Sequence, residues 1–156
     1  MGRRSTLLAC LFLALVLGGL REFLFVNLNY QLDHVARQTE VSFAHSIFQA
    51  WTNDWSLGTL TVLKWTMAGA FTTAMCLLCI WLARSLFAPR QFDKWILLGY
   101  SAVGLVALLL HVSAQWFAPP LEIVSVKLLH ALQYPVVLIF LWAASNLDQR
   151  RIAGSH

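Results

Sequence analysis

Long apolar runs, each closed by a short polar stretch, constrain this chain more than any motif in it. The first goes from Leu7 to Leu20, is interrupted by Arg21 and Glu22, and resumes as Phe23-Leu24-Phe25-Val26. The second, Leu57 to Phe87, meets charge only at Lys64 and Arg84; the third is Trp95 to Phe117, and the fourth runs from about Ile123 to Ala144 after the Pro119-Pro120 break. A helix rises about 1.5 Å per residue, so crossing a hydrocarbon core of roughly 30 Å takes about 20 residues. Charged residues make up 12% of the chain and hydrophobic ones 59%, where a soluble domain carries about a quarter charged. The pattern predicts an all-α, integral membrane four-helix bundle. It forms a single transmembrane domain over residues 1–156, with spans near 6–28, 57–86, 95–117 and 123–144. No repeat, linker or low-complexity tract suggests a second domain.

The first run poses a choice. Leu7–Leu20 alone is too short to span, so either the helix continues through Arg21 and Glu22 to about Leu28, or the segment is a cleaved signal peptide with a basic start at Arg3 and Arg4. Gly18-Gly19 makes no A-x-A-like site and Cys10 comes too early for a lipoprotein signal, which favours a retained helix.

Basic residues set the orientation. Arg3, Arg4, Arg84, Arg90, Lys94, Arg150 and Arg151 fall on one side, whereas the opposite loops hold Asp33, Arg37, Glu40, Asp54 and Glu122. Both termini are therefore expected in the cytoplasm of a bacterial cell, with the chain in its inner membrane. Trp51, Trp55 and Trp116 at the outer ends and Trp95 and Trp142 near the inner ends fit rings at headgroup level; Trp65 and Trp81 sit deeper and are expected to pack. In the longest outer stretch, Ala44, Ile47, Phe48, Trp51 and Trp55 recur at helical spacing and predict a short amphipathic helix in the outer interface; the competing reading is a plain solvated loop.

Polar residues within the spans then acquire depths. Lys64 lies about two turns into its helix; His111 and Gln115 share a face near the outer end of the third; Lys127 and His130 share a face early in the fourth, with Gln133 and Tyr134 beyond them. Arg21 and Glu22 fall in the outer third of the first. These residues are expected to form one polar layer, Arg21, Glu22, Lys64, His111, Gln115, Lys127, His130 and Gln133, near the outer face. A lone charge at the bilayer centre costs roughly 2.5–3.5 kcal/mol on insertion scales, so such groups turn inward or pair. Glu22, with Glu122 as a second candidate, is outnumbered by Arg21, Lys64 and Lys127, which suggests an electropositive pocket for an anionic group. Against that stands a structural reading in which the lysines snorkel and the histidines donate to backbone carbonyls. Pro135 removes the amide that would serve the Ala131 carbonyl and predicts a kink.

Other chemistries are weaker. His111 and His130, on adjacent helices at similar expected depth, offer a haem alternative, though no cofactor is expected. Cys76 and Cys79 make a CxxC spacing, but without Cys or His nearby they, like Cys10, read as small core residues, and no metal site is expected. Asp33, His34, Glu40 and His45 fit no strong zinc spacing. A pI near 9.3 would suit nucleic acid, but the basic residues form no aromatic-interleaved stripe, so no nucleic-acid partner is expected.

Three stretches, Arg21-Glu22-Phe23-Leu24-Phe25-Val26-Asn27-Leu28-Asn29 with Gln31-Leu32, Leu60-Thr61-Val62-Leu63-Lys64-Trp65, and Leu129-His130-Ala131-Leu132-Gln133-Tyr134-Pro135-Val136-Val137, resemble small uncharacterised four-span membrane proteins of Bacteroidota, some of them associated with exosortase systems. The resemblance implies at most an accessory role beside a cell-envelope processing or export enzyme, with Arg21, Glu22, Asn27, Lys64, Gln133 and Pro135 as the family's marks. The catalytic Cys, Arg and His of an exosortase-type enzyme have no counterpart here. The expected function is thus a non-enzymatic accessory or assembly subunit with a larger membrane-protein partner. The alternative is a lipid- or anion-binding protein or transporter component in contact with membrane lipid.

Overall fold

The computed structural model describes residues 3–87, 91–116 and 120–153. Among the described residues every regular element is a helix: α1 (Arg3–Arg37), α2 (Ser46–Thr52), α3 (Leu57–Leu86), α4 (Gln91–Trp116), α5 (Pro120–Gln133) and α6 (Val136–Ala153). In α1, α3 and α4 the helix is long and apolar enough to cross a bilayer, and α5 with α6 passes the same test as one span bent by 51°. By helix length and composition, the chain is a multi-pass membrane protein.

α1 does not stop where its apolar run stops. No proline or glycine falls between Leu20 and Arg37, and an Asp33–Arg37 ion pair at 2.7 Å ties its last turn at i, i+4. The helix ends at Gln38, whose φ of 51° is left-handed. The Thr39 N–H then returns to the His34 carbonyl at 3.3 Å, the six-to-one bond of a Schellman stop. Hydropathy sees the end of the lipid-compatible stretch; the backbone sees only the next residue that breaks the helix.

The chain divides into two compact units, Val16–Phe71 and Met1–Leu15 with Thr72–His156. In the first, Leu28, Ala44, Phe48 and Leu60 form a buried cluster flanked by Leu24, Leu32, Val35, Leu63 and Met67. The segment after α1 folds back along it. The His45 N–H donates to Asn27 Oδ1, and Asn27 Nδ2 donates to the Phe23 carbonyl at 2.7 Å. One turn further on, Ser42 Oγ donates to Gln31 Oε1 at 2.8 Å. Since Asn27 lies ten residues before Arg37, the fold-back covers about 15 Å of helix. His45 caps α2, its Nδ1 accepting from the Ile47 N–H at 3.3 Å, and Gln49 Nε2 donates to the Ser42 carbonyl at 2.9 Å.

The outer helix expected from Ala44, Ile47, Phe48, Trp51 and Trp55 is therefore present as α2, but those residues do not share a fate. Ala44, Phe48 and Thr52 form the buried stripe, whereas Ile47 and Trp51 are exposed and Trp55 lies beyond the helix end. Spacing alone could not separate two stripes that lie side by side on the helix. Trp65 and Trp81, expected to pack, each remain 41% exposed, so their rings lie on the outer flank of α3.

In the second unit α4 and α5 form a hairpin. Ala107 and Ser125 are both buried at its contact, and Ser125 Oγ donates to the Ala107 carbonyl at 2.7 Å; small side chains let the two backbones approach. At the start of α4, Asp93 takes Arg84 Nε at 2.8 Å and a terminal guanidinium nitrogen at 2.7 Å. Cys10, Cys76 and Cys79 are buried, with Cys79 Sγ 3.4 Å from the Tyr100 hydroxyl.

The kink expected at Pro135 is a full break. The Tyr134 N–H still reaches the His130 carbonyl at 3.1 Å, and the Ile139 N–H reaches the Pro135 carbonyl at 3.1 Å. Between them Pro135 supplies no donor, and the Ala131 carbonyl loses its intrahelical partner. Pro135→Ala restores that donor and is expected to straighten the pair, lengthening the separation of spin labels at 123 and 142 by about 3 Å on an ideal-helix estimate. An unchanged interspin distance by pulsed electron resonance would show that packing, not the proline, sets the bend.

Candidate functional site

Arg21 is the most deeply placed ion in the first unit. Only 2% of its side chain is exposed, against 58% for Glu22, whose Oε2 lies 3.1 Å from the Arg21 guanidinium. Phe25, one helical turn on, puts its ring 5.0 Å beneath the guanidinium carbon, and that ring packs 6.2 Å from the ring of Phe71 on α3. A buried arginine in a spanning helix thus has both a carboxylate and an aromatic face to offset its desolvation. Lys64, half-buried, lies on the same stripe of α3 as Leu60 and Met67. It precedes Phe71 by seven residues, about 10 Å of helix. Lys64 therefore stands well toward the N-terminal end of α3 from the Arg21 guanidinium rather than level with it.

The second unit separates its polar groups in the same way. The Ser125–Ala107 bond fixes the register of the hairpin. His111 lies four residues after Ala107, toward the α4–α5 turn, and His130 lies five residues after Ser125, away from it. Their heights along the hairpin differ by about 13 Å. The similar depth expected for them is corrected by the helix start: α5 begins at Pro120 rather than Ile123, which sinks everything on it by almost one turn. Two axial haem ligands must approach one iron from opposite sides, whereas His130 lies on the side of α5 away from α4, the helix that carries His111. Gln115 belongs to α4, but its side chain lies outside the described residues, as do those of Arg3, Arg4, Arg90, Arg150 and Arg151.

At about 100° per residue, α5 has two sides. Ser125 and Leu132 are buried, with Leu121, Leu128 and Leu129 half-buried around them, and this side packs on α4. Ile123, Lys127, His130 and Ala131 occupy the opposite side, and all four are exposed. The His130 ring meets Tyr134 edge-on at 6.4 Å. Gln133 turns away from that side: it is buried, and its Nε2 donates to Thr72 Oγ1 on α3 at 3.4 Å. Sequence reading missed Thr72 and Ser125, because a single hydroxyl in an apolar run carries no signal until a neighbour is placed against it.

Of the expected layer, then, Arg21 and Glu22 are joined in one unit with Lys64 displaced toward the start of α3. In the other, Lys127 and His130 share an outward face of α5, Gln133 is tied to α3, and His111 sits nearer the turn. No family model, no curated protein and no solved structure matches the chain. Chemically, the outward face of α5 offers an ammonium, an imidazole and a backbone acceptor within one and a half turns. That set suits recognition of an acidic, hydrogen-bonding group.

Proposed function

We propose that the chain is a non-enzymatic accessory or assembly subunit of a cell-envelope complex in the bacterial inner membrane. In this reading it is a four-span bundle with both termini cytoplasmic that docks a larger membrane protein. The resemblance to small proteins associated with exosortase systems points the same way, toward a processing or export enzyme as partner. One observation carries the reading: Lys127 is exposed on the side of α5 that faces away from α4, and His130 lies on the same side. Lipid tails do not solvate an ammonium, and charged residues in spans face protein or water. A subunit whose polar face completes itself against another protein has that arrangement.

A second reading, in which Lys127 holds the phosphate of an anionic lipid, draws on the same exposure. Native mass spectrometry of tagged, gently solubilised full-length chain separates the two. The expected result is a stoichiometric complex with a larger membrane protein; a chain that leaves the membrane carrying only phospholipid would sink the accessory reading.

A further inference from the structure

The exposed side of α5 has a depth profile that narrows what covers it. α5 starts at Pro120, just after a helix long enough to span, so its first turn lies at a membrane surface. Measured along the axis from Pro120, Lys127 lies at about 10 Å, His130 at about 15 Å and Ala131 at about 16 Å. The headgroup layer of one leaflet is roughly 5–7 Å thick, half the difference between the whole bilayer and its hydrocarbon core. A lysine side chain leans toward the helix N-terminus and reaches several ångström, so a lipid phosphate can meet Lys127. It cannot descend to the Ala131 carbonyl.

That carbonyl is the second constraint. It has no intrahelical donor because residue 135 is proline, and it points toward the break on the same side of α5 as Lys127, four residues earlier. A backbone acceptor without a donor is not left in contact with lipid tails, where it costs several kcal/mol. The face therefore asks for an anion near its top and a hydrogen-bond donor about 6 Å deeper. A transmembrane helix supplies both, since residues three or four apart lie on one side of it.

We infer, building on the accessory reading, that this face of α5 is the docking surface for a transmembrane helix of the partner. That helix presents an Asp or Glu carboxylate to Lys127 and, one turn deeper, a hydroxyl or amide donor to the Ala131 carbonyl. The ammonium donates to the carboxylate, and the break at Pro135 keeps the carbonyl available as acceptor.

The test uses the full-length chain in its native membrane. A photo-reactive p-benzoylphenylalanine at position 123, on the exposed side, is expected to cross-link to a partner peptide containing Asp or Glu; the same group at 132, on the α4 side, is not. Lys127→Glu is expected to lower co-purified partner about tenfold or more, as loss of a desolvated charge pair does. Lys127→Gln should weaken the complex less, and Lys127→Arg should preserve it. Changing the cross-linked acid of the partner to Lys should restore the complex with Lys127→Glu. Unchanged reactivity of the buried cysteines toward maleimide shows that each variant is folded. Cross-links at 123 only to lipid, only to a second copy of this chain, or full retention of partner by Lys127→Glu would overturn the docking site while leaving the accessory reading intact. Loss of any stoichiometric partner from the unaltered protein removes the accessory reading itself.

Discussion

Phe48→Ala is expected to release α2 from α1 and α3, at a cost of about 3–5 kcal/mol for removing a buried aromatic ring. The effect is large because α2 has few other supports. It is seven residues long, and an isolated helix of that length does not persist in water. Phe48 is 3% exposed and shares its cluster with Leu28 and Leu60, so one ring links all three helices. Amide hydrogen exchange of residues 46–52 should accelerate toward the rate of an open loop, while exchange in α4 and α5 stays as it was. Trp51→Ala, on the exposed stripe of the same helix, is expected to change stability by no more than about 0.5 kcal/mol. Equal acceleration by both substitutions would mean that the exposed ring, not the buried one, holds α2 in place.

Ser125→Leu should be the most damaging single change in the hairpin. Ser125 and Ala107 are both fully or almost fully buried where α4 and α5 approach. Overpacking such a contact costs about 1–3 kcal/mol, and the lost bond to the Ala107 carbonyl adds roughly 0.6 kcal/mol, up to about 1.7, on the scale of intramembrane hydrogen bonds. Ser125→Ala removes the bond alone and should lie near the lower figure. Thermal release of the buried cysteines to a thiol-reactive dye reports both, because Cys79 is fully buried in the same unit. If Ser125→Leu melted no earlier than Ser125→Ala, the close approach would not be what locks the register. The height difference between His111 and His130 would then lose its anchor.

Much of the helical inventory was legible in the chain. Apolar runs separated by charge predicted the membrane-length helices, because a bilayer accepts few other solutions for stretches of that length. Pro135 predicted a kink, because a missing N–H and a ring clash act within one turn, and the structure carries it to a full break. Continuation of α1 through Arg21-Glu22 also followed, since neither residue opposes a helix and each neutralises the other.

Depth and facing were a different matter. Counting residues from the apolar boundary placed His111 and His130 at one level; the start of α5 at Pro120 and the Ser125–Ala107 contact moved them about 13 Å apart. The fold-back of residues 38–45 onto Asn27 and Gln31 could not be foreseen from periodicity, since it depends on side-chain amides meeting a serine hydroxyl 11 residues away and a backbone N–H 18 residues away.

Determined by sequence alone were the properties that depend on neighbours along the chain: which segments are helical, which are apolar enough for lipid, and where a helix must break. Tertiary structure alone decided which side of each helix is covered and at what height its polar groups stand. Those follow from the register between helices, and register is set by a handful of small side chains and single hydrogen bonds whose partners lie far away in sequence.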